Sequence, residues 1–138
     1  MWNPSKKIRS IASKILIGLF SFTMIFHILA LFQVIPYKYL WGGRLGNLEE
    51  MYVMESVSLI VNAFFLWASF QYIQYLNKGL VPLWIRIVFG LIGFIFLANT
   101  VGNLVAVTDL ETLLATPVTA ILSAICFSLV PKYENKTS

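Results

Sequence analysis

The chain has 138 residues, 59% of them hydrophobic and only 12% charged, which leaves too little polar surface to wrap a water-soluble core. Its net charge of +4 would suggest nucleic acid in a soluble protein, but the basic residues stand between and outside long apolar runs, where they act as topology signals and exclude that partner. The single cysteine, Cys126, and single histidine, His27, exclude a disulfide framework and any multi-cysteine or multi-histidine metal site within one chain.

Four apolar runs are predicted to cross a bilayer, at residues 15–35, 51–76, 85–107 and 113–130, each near the ~20 helical residues that a hydrocarbon layer requires. Lys6, Lys7, Arg9 and Lys14 precede the first as the basic region of a signal peptide would. The run exceeds the ~7–15 apolar residues of such a leader and no small-residue cleavage site follows, so it is predicted to remain as a span. The connection 36–48 holds Pro36, Gly42, Gly43 and Gly46, with Tyr37, Tyr39 and Trp41 suited to the headgroup region.

Asn47-x-x-Glu50 reads as the N-terminal cap of a second helix starting just outside the membrane. Asn77-Lys78-Gly79 should end that helix, with Pro82 in the first turn of the third. Thr108-Asp109-Leu110-Glu111 fits a capping box before the fourth helix, which Pro117 should kink. Gly18, Gly90 and Gly93 are positions where helices could approach closely.

Short cytoplasmic connections carry the excess of Lys and Arg. The N-terminal segment, the turn near Lys78 and Arg86, and the C-terminal tail with Lys132 and Lys136 hold eight of the ten basic residues. The opposite side has Lys38 and Arg44 but gathers Glu49, Glu50, Asp109 and Glu111. The expected fold is therefore all-α, a single-domain four-helix transmembrane bundle, up-down-up-down, with both termini cytoplasmic.

A charged side chain at the centre of a span costs roughly 2.5–3.5 kcal/mol on insertion scales, so each intramembrane polar group calls for a reason. Glu55, Ser58, Asn62 and Ser69 share one face of the second helix, Asn99 and Asn103 stack on the third, and His27 lies above Thr23 on the first. From the expected outer ends, Glu55 and Asn103 lie about 6 Å deep, His27 and Asn99 about 12 Å and Asn62 about 16 Å. Thr116, Thr119 and Ser123 give the fourth helix a small polar face.

One reading is a polar ligand pocket of His27, Arg44, Glu55, Asn62, Asn99 and Asn103 open to the extracytoplasmic side. The other is interhelical hydrogen bonding, worth ~0.6 kcal/mol per contact on average. Burial disfavours the charged forms of Glu55 and His27, whereas direct pairing favours them. Trp41-Gly42-Gly43-Arg44-Leu45 could fold over the pocket as a lid that sets Arg44 against Glu55, Asp109 or an anionic group, or be an ordinary turn with an interface anchor.

Trp41-Gly42-Gly43-Arg44-Leu45 with Glu49-Glu50-Met51-Tyr52, and Asn99-Thr100-Val101-Gly102-Asn103-Leu104-Val105-Ala106 with Glu111, resemble a family of small, uncharacterised bacterial four-helix integral membrane proteins. The resemblance covers nearly the whole chain and implies a multi-pass protein of the bacterial inner (plasma) membrane. It carries no activity or site residue with it.

The leading expectation is an accessory or structural membrane protein that binds lipid or a membrane-protein partner. A binder or transporter of a small polar solute or proton comes next, and as a transporter it would form a homo-oligomer. A membrane enzyme with Glu55 or His27 as base and Arg44 as electrostatic stabiliser is third. No HExxH, GxSxG, P-loop or dinucleotide fingerprint is present, and no cofactor or metal is expected.

Overall fold

The computed structural model describes residues 3–105, 113 and 115–133. It is all-helical, with no strand among the described residues. The helices are α1 (Lys6–Leu31), α2 (Leu48–Asn77), α3 (Leu83–Leu104) and α4 (Thr116–Ser128), with two single-turn 3-10 segments, Tyr37–Tyr39 and Trp41–Gly43, in the first connection. α1, α2 and α3, of 26, 30 and 22 residues, are apolar and long enough to cross a membrane. α4 has 13 residues, or about 20 Å, less than the ~30 Å of a hydrocarbon core.

Helix ends follow local chemistry. α1 starts at Lys6, well before the apolar run, because Ser5 accepts a hydrogen bond from the Ile8 N–H and the straight-chain lysines that follow are good helix formers. It stops at Leu31, earlier than its hydropathy suggests, where the Gln33 N–H bonds back to the Ala30 carbonyl and Gln33 turns left-handed at φ 56°.

The cap of α2 is as expected: the Glu50 N–H donates to the Asn47 side chain at 2.8 Å, and the Glu50 carboxylate accepts from the Gly46 N–H at 2.8 Å. Gly79 ends α2 at φ 87°, a conformation that costs a glycine little. Pro82 occupies the N-cap of α3, one residue ahead of its first turn. Pro117 lies in the first turn of α4, where proline is tolerated, and the described residues just before it, Leu113 and Ala115, are π-helical. The Thr108–Glu111 capping box and the last residues of the third apolar run lie outside the described residues.

The helices associate as two hairpins. α1 packs along α2 and α3 along α4, whereas contacts of α2 with α3 and of α1 with α4 are few. The larger core joins the hairpins toward the end where α1 starts and α4 ends: Leu16 and Phe20 of α1, Ala68 and Tyr72 of α2, Ile85 and Phe89 of α3, and Leu122 and Cys126 of α4. A small separate cluster, Ala30, Leu40 and Met51, serves the opposite end, where the first connection lies.

Arg9 holds the terminal end together. Its side chain is fully buried at 0% exposure and donates to the carbonyls of Pro4 (3.0 Å) and Pro131 (2.9 Å), to the Tyr72 hydroxyl (2.8 Å) and to Asn3 Oδ1 (2.6 Å). The Tyr72 hydroxyl in turn donates to the Leu129 carbonyl at 3.1 Å, and Arg86 donates to the Val130 carbonyl at 2.6 Å. Two arginines thus meet the carbonyls that α4 leaves unpaired at its C-terminal, partially negative end. Arg9, read from the sequence as a topology charge, is a structural cation.

Gly93 is the close contact between α3 and α4. A Cβ there would stand 3.0 Å from the Phe127 ring, while one at Gly18 would meet nothing within 4 Å and one at Gly90 only Val130 at 3.8 Å. Of the three glycines expected to permit close approach, Gly93 alone is tightly packed. Gly93→Ala is expected to destabilise the protein by about 1–3 kcal/mol, with Gly18→Ala neutral, as read by thermal unfolding in detergent.

The outer surface is apolar on every helix, with Ile25, Ile60, Leu91 and Ile121 all exposed by more than half. Such a surface suits lipid and would aggregate in water. Tyr52 and Tyr75, toward the two ends of α2, are roughly 35 Å apart along the axis, close to the span between aromatic belts at two membrane interfaces.

Candidate functional site

At the loop end, the carboxylate of Glu55 is enclosed from two sides. His27 Nδ1 of α1 lies 2.7 Å from Glu55 Oε2, and the Trp41 indole N–H donates to Oε1 at 2.9 Å. Glu55 is 1% exposed and His27 19%. The two were expected at different depths, but α1 ends at Leu31 and α2 starts at Leu48, which puts His27 about 6 Å and Glu55 about 10 Å from their helix ends, and the side chains meet directly.

Trp41, read as an interface anchor, is the loop residue that reaches Glu55. Three successive left-handed residues, Trp41 (φ 52°), Gly42 (φ 65°) and Gly43 (φ 72°), fold the loop back on itself. This conformation is uncommon for a bulky side chain. The indole bond to Glu55 holds it, and the two glycines relieve the residues that follow. The Gly-Gly pair was the sequence signal for this turn. Arg44, offered as a partner for Glu55, Asp109 or an anionic group, lines a cavity that Glu55 does not, and Asp109 lies outside the described residues.

Asn62 ties α2 to α1. Thr23 donates to Asn62 Oδ1 at 2.8 Å, and Asn62 Nδ2 donates to the Phe20 carbonyl at 2.8 Å. Asn103 donates to Thr119 Oγ1 at 3.4 Å, and Thr119 also accepts from Thr100 at 2.9 Å. The α3–α4 hairpin therefore carries its own polar tie. These bonds join helices within a hairpin, whereas Arg9 and Tyr72, which bridge the hairpins, act at the terminal end.

With the hairpins clamped at one end, space opens between them at the other. A cavity of about 500 Å3 runs between their inner faces, walled by Phe22, Val57, Val61, Ile95 and Val118, with Phe20, Phe65, Phe96 and Leu122 below and His27, Asn62 and Asn99 among its few polar groups. Phe22, Val57 and Val118 are each more than half exposed, so it is a cleft with an open side. The three phenylalanines beneath it stack closely, with ring centroids 5.5–6.1 Å apart, and form a rigid floor.

A second cavity, of about 490 Å3, lies under the first connection between Trp41, Arg44 and Glu50 on one side and Ala98, Asn99, Gly102 and Asn103 on the other. Asn99 lines both spaces. The six candidate residues thus do not form one pocket. Arg44, Asn99 and Asn103 meet at the upper cavity, His27, Asn62 and Asn99 at the cleft, and Glu55 lines neither.

Both volumes fall in the range of small-molecule sites, and a mostly apolar wall with a few placed polar groups is the usual composition of such sites. Among the described residues no cluster of three or more His, Cys, Asp or Glu could hold a metal ion. No family model, curated protein or solved structure matches the chain.

Proposed function

We propose that this protein is a multi-pass protein of the bacterial inner (plasma) membrane, with both termini cytoplasmic, that acts as an accessory lipid-binding component by holding a lipid chain between its two helical hairpins. The observation that carries this reading is the open-sided apolar cleft, which shares Asn99 with a cavity at the loop end that Arg44 and Glu50 also line. An apolar slot beside a cavity with charged groups on its rim matches an amphiphile, whereas a small polar solute would gain little from a wall of valine, isoleucine and phenylalanine.

Arg9 near the start of α1 and Pro131 after α4 meet at one end of the bundle, which supports an even number of crossings. The excess of Lys and Arg at that end supports its cytoplasmic placement.

Binding is favoured over catalysis because both carboxylate oxygens of Glu55 are engaged and the carboxylate faces neither cavity. The test is native mass spectrometry of the protein released from mild detergent. Retention of one phospholipid mass per chain is expected, with loss in Val61→Trp, which fills the cleft from a partly exposed position on its wall. Retention undiminished in that variant would overturn the reading.

A further inference from the structure

The upper cavity carries opposite charges on one rim. Arg44 and Glu50 both line it, with the Asn99 and Asn103 amides opposite and Trp41 as part of the wall. The Arg44 guanidinium has no ion pair among the described residues. Glu50 accepts one bond from the Gly46 N–H, and a carboxylate retains further acceptor capacity beyond that. The N–H of Trp41 is committed to Glu55, so what this ring offers a ligand is its apolar π surface.

We infer that this cavity receives the headgroup of a zwitterionic, amine-bearing glycerophospholipid, its phosphate at Arg44 and its ammonium at Glu50 and the Trp41 ring. The inference rests on the lipid reading of the cleft and names the class of lipid. A guanidinium offers paired donors suited to phosphate oxygens. A carboxylate beside an aromatic face suits an ammonium group, and Asn99, at the junction of the two spaces, can donate to the ester region of a lipid whose chain continues into the cleft. A purely anionic headgroup would satisfy Arg44 but set its charge against Glu50.

The test is competitive retention in the full-length protein, measured by native mass spectrometry from nanodiscs with chain-matched phosphatidylethanolamine and phosphatidylglycerol in equal amounts. Wild type is expected to retain the ethanolamine lipid at least about fivefold over the glycerol lipid, a ratio of the size one partly exposed ion pair can set. Glu50→Gln, whose amide oxygen can still accept from Gly46, should bring the ratio toward one, and Glu50→Asp should largely restore it. Arg44→Gln should weaken retention of both lipids.

Equal retention of the two lipids by wild type, or a ratio unmoved by Glu50→Gln, would overturn the headgroup assignment while leaving the cleft reading intact. Retention of neither lipid would overturn both.

Discussion

Replacing Arg9 with alanine is expected to destabilise the purified protein by about 3–5 kcal/mol, the range for removing one member of a buried charged network. The guanidinium is fully buried, and among the described residues it donates to neutral oxygens: carbonyls, an amide oxygen and a tyrosine hydroxyl. Removing it leaves the carbonyls after α4 and the Tyr72 hydroxyl short of a donor in a water-poor site. It also leaves a cavity beside the Tyr133 ring, over which the guanidinium carbon sits 5.4 Å from the centroid.

Arg9→Lys keeps the charge but cannot direct donors to several elements at once, so it should recover less than half of the loss. Thermal unfolding in a fixed detergent measures both variants. An Arg9→Ala protein as stable as wild type would show that the terminal clamp does not hold the hairpins.

Glu55→Ala is expected to destabilise by about 2–4 kcal/mol, since it strips a partner from both His27 and the Trp41 indole. Its effect should be local. Without the indole bond, the left-handed turn at Trp41–Gly43 loses its anchor, and trypsin should cut after Lys38 and Arg44 several times faster than in wild type. Glu55→Gln keeps an oxygen for the Trp41 N–H and should leave the loop nearly as resistant as in wild type. Cleavage rates that do not separate the alanine variant from wild type would refute Glu55 as the strut of this loop.

What could be read from the sequence follows the range of the interactions involved. The Asn47 cap and the Gly79 stop were legible because each is settled within a few residues. The polar faces of α1, α2 and α3 were legible from helical spacing, but their partners were not. The pairing of His27 with Glu55 depended on where α1 ends, and hydropathy extends that helix past the turn at Gln33.

Arg9 was misread because its partners Tyr72 and Pro131 lie 63 and 122 residues away, and a basic residue before an apolar run has a simpler local meaning. The division of the candidate residues between two cavities was beyond pattern reading. It arises from the hairpins being joined at one end and apart at the other, a property of packing between helices and not of any one of them.

The most direct measurement of the central claim is photocrosslinking in liposomes with a phospholipid carrying a diazirine midway along one acyl chain, followed by peptide mapping. Labelling concentrated on the inner wall, at Val57, Val61, Ile95 and Val118, and lost in Val61→Trp, is the predicted result. Labelling spread over outward residues such as Ile60 and Leu91, with the inner wall no more modified than they are, would contradict a lipid chain held between the hairpins.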